Sequence, residues 1–264
     1  MVKGLKKFQE HFHGHEQSFV VIGGVACHEW FAAQGFRFRG TKDIDVVLIL
    51  EAVSTPFFLR FWEFIRLGNY KACHKATGGK IYYRFSDPAQ IDYPVMIELF
   101  SRKPVDIELY AGQNIVPISV DNDISSLSAI LMDDSYYNIV MQLRDIVDGL
   151  PVVSLPGLLV LKARAWLDLT RRRDAGEKVN GRDIDKHRND VFRLASLLQV
   201  DKNLSLPPSI SDDLRLFLRT FSDNVSEWQA ISDALKASNI TLKKEDLLLG
   251  IQEYFILPQS PINQ

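Results

Sequence analysis

Residues 39–50 read Arg-Gly-Thr-Lys-Asp-Ile-Asp-Val-Val-Leu-Ile-Leu, and this run constrains the fold more than any other. Asp43 and Asp45 stand two apart at the head of a continuous aliphatic segment. On a strand they point to one side, and Ile44 and Val46 to the other. The pattern predicts a strand over 43–50, its first half alternating acid and aliphatic and its second half buried. Neighbouring carboxylates repel each other, and burial strengthens the repulsion. A divalent cation supplies the missing positive charge. Hard oxygen donors with few nitrogens and no paired cysteines favour Mg²⁺ or Mn²⁺. The plainer reading is an acid pair at a strand mouth that caps, or salt-bridges Lys42 or Arg39.

Upstream, Ser-Phe-Val-Val-Ile-Gly-Gly at 18–24 predicts a buried strand ending in a tight turn. Residues 25–34 predict a short helix stopped by Gly35. A turn through Gly23 and Gly24 into a helix leaves backbone N–H groups that suit phosphate. No Gly-Lys-Ser/Thr follows, so this is not a P-loop, and the third glycine of a dinucleotide fingerprint is missing. A third acid, Glu98, lies inside Val-Met-Ile-Glu-Leu-Phe at 95–100. An acid in an apolar strand is unfavourable unless its charge is compensated. Asp106 and Glu108 are its rivals, although an edge strand with one solvent face explains their alternation without any function. Glu98 is preferred because its flanks are more continuously apolar.

The remaining pattern predicts a helix over 56–67 opened by Pro56 and closed by Gly68, strands over 80–85, 94–100 and 105–110, and a short strand at 136–141. From Leu155 onward the chain reads as helices over 158–170, 185–198, 213–221, 226–237 and 244–255. A charged connection spans 171–180, and Leu206-Pro207-Pro208 ends a linker. The fold class is therefore α+β, a mixed sheet with flanking helices followed by a helical C-terminal half. The expected division is 1–120 and 121–264, with the boundary placed loosely within 115–155. The tract carrying His11, His13 and His15 reads as a flexible N-terminal segment without a fourth zinc ligand.

Composition narrows the function classes. The 264 residues carry a net charge of −2, with 46% hydrophobic and 24% charged residues, as in ordinary globular proteins. That balance excludes a globally cationic nucleic-acid binder but leaves a local basic face open. Two cysteines, Cys27 and Cys73, do not make a disulfide scaffold. No apolar signal region follows the basic first residues, and no stretch approaches the roughly 18 apolar residues of a membrane helix. The expected location is the cytoplasm, with no membrane partner.

The pattern hydrophobic-Gly-Gly, a short helix, Arg-x-Thr-x-Asp-hydrophobic-Asp and a later hydrophobic-acid-hydrophobic strand resembles the nucleotidyltransferase fold of polymerase-beta-like enzymes. Within that superfamily the chain is similar to the AbiEii-type toxins of bacterial type IV toxin–antitoxin and abortive-infection systems. The resemblance implies that Gly23 and Gly24 form the glycine motif, that Arg39 and Thr41 are the lead-in, and that Asp43, Asp45 and Glu98 are the metal-binding acids. It implies an NTP substrate, Mg²⁺ or Mn²⁺ as cofactor, and an antitoxin protein as partner. The helix around Lys162 resembles the family's lysine-bearing helix, and the segment 185–194 its Lys/Arg-x-x-x-Asp helix. The helical half would complete the nucleotide and acceptor cleft. Use of Glu98 where many such enzymes have Asp, and the long segment 171–183, depart from the family pattern.

In the helical half each residue has two readings. Lys162 either snorkels to the surface or holds the triphosphate. Lys186 and Asp190, four apart, share a helix face as an ordinary pair or as part of the cleft, and Arg193 joins that face as a nucleotide contact. Arg171-Arg172-Arg173 with Lys178, Arg182, Lys186 and Arg188 could bind an RNA backbone by charge, which makes tRNA a candidate acceptor. Alternatively it is a solvated loop neutralised by Asp168, Asp174, Glu177, Asp183 and Asp185. The resulting expectation is a metal-dependent nucleotidyltransferase moving an NMP from an NTP to RNA, protein or a small molecule, as the toxin of a toxin–antitoxin pair. An antibiotic-type small-molecule nucleotidyltransferase and a non-catalytic nucleotide- or RNA-binding member are the alternatives.

Overall fold

The computed structural model describes residues 2–74, 80–105, 107–108, 115–119, 127–199, 201–222 and 225–257, without the side chains of 72–74, 80–81, 222 and 225–226. The chain divides into two compact units, Met1–Ser154 and Leu155–Gln264. The division falls at the far end of the 115–155 range, and the strands between 127 and 153 pair with the sheet of the first unit.

The first unit runs α1 (Leu5–His11), β1 (Phe19–Ile22), α2 (Gly23–Ala33), β2 (Asp43–Leu48), α3 (Thr55–Gly68), β3 (Lys71–His74), β4 (Lys80–Ser86) and β5 (Met96–Ser101). It continues with β6 (Ile115–Ile118), β7 (Leu127–Leu131), α4 (Asp134–Gln142), β8 (Arg144–Val147) and β9 (Leu150–Val153). The strands form one mixed sheet in the order β3-β4-β5-β2-β1-β9-β8. β6 pairs with β7, which joins the far end of β5 through Phe100 and Ser101. The α+β class expected from the sequence is what the chain adopts.

The burial pattern follows the sequence alternation. In β2, Ile44 and Val46 are buried while Asp43 and Asp45 are only half-buried, and β5 alternates in the same way through Ile97, Glu98 and Leu99. The apolar face carries an aromatic core. Phe85 of β4 is in register with Ile97 and meets Phe61 of α3 at 5.5 Å, while Phe19 of β1 meets Phe8, Phe12 and Phe57 at 5.6–6.3 Å. Fully burying each such ring stabilises the fold by about 1.5–3 kcal/mol. Ser54 caps α3, accepting from the Phe57 N–H at 3.5 Å, with Pro56 in the first turn.

Several expectations are corrected here. The N-terminal tract is not a flexible segment: Leu5–His11 is helical, and Phe8 and Phe12 are 1% exposed. Its histidines diverge, His11 Nε2 lying 2.9 Å from the Arg60 carbonyl and His13 Nδ1 3.0 Å from Glu16. Residues 136–141 form a helix, not a strand. Asp133 caps it from the Ser135 N–H at 2.9 Å, and Tyr136, Tyr137, Ile139 and Val140 are buried at helical spacing. The Tyr137 hydroxyl donates to Glu51 at 3.0 Å and accepts from the Leu50 N–H at 3.1 Å, while burial pushes its pKa up to about 12. Of the strand expected at 105–110, Val105 lies in a turn and Ile107 and Glu108 are off any strand; the other positions lie outside the described residues.

The second unit contains α5 (Leu155–Asp174), α6 (Gly181–Ala195), α7 (Pro208–Ser222), α8 (Val225–Lys236) and α9 (Lys244–Tyr254). Its core gathers Trp166, Phe192, Phe217, Phe221 and Trp228, with ring centroids 4.8–5.8 Å apart. α5 is longer than expected. Arg171, Arg172 and Arg173 belong to its last turn rather than to a connection, where cations complement the helix dipole. No described helix is long and apolar enough to cross a membrane.

Candidate functional site

The three acids singled out on β2 and β5 share one face of the sheet. β2 and β5 are parallel neighbours, and Asp45 is the register partner of Glu98. Asp43, two residues earlier, lies opposite Met96 on the same side. On the far side of β5, Arg84 of antiparallel β4 is in register with Glu98. The row therefore reads Asp45, Glu98, Arg84 across three strands. The Arg84 Nε donates to Glu98 Oε1, so the half-buried carboxylate has the charge compensation that its apolar flanks demanded.

The glycine pair is explained by the same two segments. Gly23, the first residue of α2, has φ +70°, and a Cβ there would overlap the Asp45 carboxylate. A Cβ on Gly24 would overlap the Thr41 hydroxyl and reach within 3.8 Å of the Arg39 guanidinium. Gly23 thus makes room for Asp45 and Gly24 for Thr41. The residue before the helix, Ile22, is apolar and cannot cap the first-turn N–H groups with its side chain. Arg39 itself donates to the Gly40 carbonyl at 3.3 Å and lies over the Phe38 ring at 5.2 Å. His28, one turn into α2, is 2.8 Å from Glu29 through Nδ1.

Does this set suit a divalent cation? The donors are hard carboxylate oxygens on adjacent register positions, and glycine leaves the space that one of them occupies. Arg84 already stands as a positive charge on the row. The chemistry of the donor set fits Mg²⁺ or Mn²⁺. In the arrangement seen, no three His, Cys, Asp or Glu side chains among the described residues stand together as a finished ligand cluster. Of the rival third acids, Glu108 is exposed and off the sheet, and Asp106 lies outside the described residues.

The candidates in the helical unit form a different structure from the one expected. Lys162 does not snorkel: it is 4% exposed, and its Nζ lies 3.4 Å from Asp190 Oδ2. Asp190, 0% exposed, accepts through Oδ1 from Arg193 at 3.1 Å. Arg193 also donates to the Ser238 hydroxyl and the Ala234 carbonyl, each at 3.1 Å. This charged set ties α5, α6 and the end of α8 together. Lys186, by contrast, is half-exposed and bonds Asp183 at 3.2 Å. The basic run is locally neutralised, Arg171 pairing with Asp168, Arg172 with Glu177 and Arg173 with Asp174 at 2.5–2.9 Å. An open hollow of about 750 Å³ lies along α3, lined by His15, Leu59, Arg60, Trp62 and Arg66 among others. It belongs to the helix on the apolar side of the sheet, away from the carboxylate face.

No family model and no curated protein sequence matches the chain. Among solved structures it is similar to an antigenic nucleotidyltransferase-like protein from Paracoccidioides brasiliensis, at 14% identity over 90% of this chain and 85% of that one, with a TM-score of 0.38. It is also similar to JHP933 from Helicobacter pylori, at 13% identity over 94% of this chain and 85% of that one, with a TM-score of 0.41. Likeness at this level says nothing about chemistry, which has to come from the residues.

Proposed function

We propose that this protein is a metal-dependent nucleotidyltransferase that moves an NMP from an NTP to an acceptor. The observation carrying the reading is the register of Asp45 with Glu98, with Asp43 on the same face and Gly23 opened against the Asp45 carboxylate. Three acids along one face repel one another, and a bound divalent cation would relieve that repulsion and offer its positive charge to phosphate.

In this reading Asp43, Asp45 and Glu98 would hold Mg²⁺ or Mn²⁺, whose charge would offset that of the triphosphate and of the phosphoryl group in transfer. The first-turn amides of α2, starting at Gly23 and Gly24, bind phosphate oxygens at the positive end of the helix. Thr41 and Arg39, packed against Gly24, position the segment that delivers Asp43 and Asp45. One carboxylate accepts the proton of the acceptor hydroxyl as it attacks the α-phosphorus, and pyrophosphate leaves. Lys162 would meet a phosphate only by exchanging Asp190 for it; in the reading advanced here Lys162, Asp190 and Arg193 keep the helical unit together, and Lys186 remains a surface residue. A place among AbiEii-type toxins, an antitoxin partner and an RNA or tRNA acceptor are the finer parts of the proposal.

The test is a screen of the purified chain with each of the four α-³²P-labelled NTPs, Mg²⁺, total RNA and cell extract. Label should move onto an acceptor with the wild type and not with Asp43→Ala or Asp45→Ala. Label that moves equally with the acid variants would defeat the proposal. Transfer to an aminoglycoside and not to macromolecules would favour the small-molecule alternative.

A further inference from the structure

The sheet face that carries the acids also carries a cation. Arg84 and Glu98 are register partners on β4 and β5, and Glu98 and Asp45 are register partners on β5 and β2. The Glu98 side chain is 13% exposed and the Arg84 side chain 45% exposed. The carboxylate thus sits deeper than the guanidinium, which is already partly hydrated and lies 5.7 Å over the Tyr83 ring, so parting from Glu98 costs it little further desolvation. Among the described residues the acids do not stand together as a finished cation cluster, and Glu98 is engaged by Arg84. A dication beside the same carboxylate would meet Arg84 as a like charge.

From this juxtaposition we infer that Arg84 is a displaceable counter-ion of the acidic row: it holds Glu98 while no divalent cation is bound and releases it when one enters. The inference rests on the reading of Asp43, Asp45 and Glu98 as cation ligands. Arg84 is then a positioning residue that sets how readily the site loads. It keeps Glu98 oriented along the row without a cation, and it makes cation binding weaker than three carboxylates alone would give. No substrate contact is needed for this effect, so it is measurable without turnover.

The experiment is a Mn²⁺ titration of the full chain without nucleotide, reading free Mn²⁺ by electron paramagnetic resonance. Wild type is compared with Arg84→Gln, Glu98→Gln, the double variant and Asp45→Asn. Removing a unit charge next to the site should tighten Mn²⁺ binding at least about tenfold in Arg84→Gln. The double variant should gain clearly less over Glu98→Gln than Arg84→Gln gains over wild type, and Asp45→Asn should bind more weakly than wild type. Arg84→Lys, which keeps the charge on a shorter donor fork, should show a smaller gain and serves if Arg84→Gln does not fold. Equal affinity for wild type, Arg84→Gln and Arg84→Lys, with Asp45→Asn weakened, would overturn the counter-ion role and leave the acid site standing. A gain of the same size in the Glu98→Gln background would also overturn it, since the effect would not pass through Glu98. No binding by any variant would overturn both.

Discussion

The Gly23 backbone and the Asp45 carboxylate are packed so closely that one methyl group on the glycine would overlap the acid. The contact joins the end of β1 to the second strand, and it does so at a residue with φ +70°, a region that L side chains rarely adopt. Gly23→Ala therefore meets two costs at once, backbone strain and displacement of Asp45. It should destabilise the first unit by about 1–3 kcal/mol. Gly24→Ala overlaps the Thr41 side chain but carries no positive-φ strain, and should cost less. Urea midpoints of the two variants check the order, and an equal or reversed ranking would count against the packing described.

The third acid can be assigned by comparing two glutamates. Glu98 is in register with Asp45, whereas Glu108 is exposed and off the sheet. If three carboxylates hold the cation, Glu98→Gln should lower NMP transfer by at least about 100-fold, the scale expected for losing a metal ligand. Glu108→Gln should leave transfer unchanged. Rates for the two variants on whichever acceptor the labelling screen identifies decide it; near-wild-type transfer by Glu98→Gln would remove that residue from the site.

The acid row was legible because its signals are local. Acid-aliphatic alternation, a double glycine after an apolar run and an acid inside a strand each depend on a few adjacent residues, and all three segments adopt the expected elements. The hairpin of β8 and β9 was missed although its signal is also local: Asp148 and Gly149 both have positive φ, at 49° and 77°, between two apolar runs. Asp-Gly in that setting is a strong hairpin signal. The N-terminal helix was obscured by its histidines, since the burial of Phe8 and Phe12 depends on Phe57 and Phe64, which are distant in sequence. Of the two readings of Lys162, the snorkelling one fails for a related reason. A lone lysine among leucines looks like a snorkelling side chain until its partner arrives from another helix.

Stability should fall in mildly acidic solution, and His11 contributes to that fall. Burial against Phe12 and Phe64 lowers its pKa from the ordinary value, outweighing the bond to the Arg60 carbonyl that favours the charged form. Above the ordinary histidine pKa of about 6.5 both folded and unfolded states hold the ring neutral, so His11 adds no slope there. As pH drops through that value the unfolded chain takes up a proton that the folded chain resists, and the folded state loses ground until its own lower pKa is passed. Thermal midpoints measured between pH 7.5 and pH 5 should therefore fall less steeply in His11→Gln than in wild type. Parallel profiles would show that the ring titrates alike in both states.

Asp190 serves two buried cations, and this makes the two ends of the network unequal. Its Oδ2 faces Lys162 at 3.4 Å and its Oδ1 takes Arg193 at 3.1 Å, with the carboxylate fully buried. Removing one partner of a buried pair leaves an uncompensated charge and typically costs about 3–5 kcal/mol. Lys162→Met leaves Asp190 still bound by Arg193, and the methionine fills the lysine's space with an apolar chain, so the loss should lie at or below the low end of that range. Asp190→Asn strands Lys162 and weakens the anchor of Arg193, which keeps its bonds to Ser238 and Ala234. It should be the more damaging change, lowering the unfolding midpoint further than Lys162→Met. The comparison also separates structure from catalysis. If the network only holds the helices, Lys162→Met should retain NMP transfer at temperatures well below its midpoint. A folded Lys162→Met chain with transfer abolished would assign the lysine to the reaction instead.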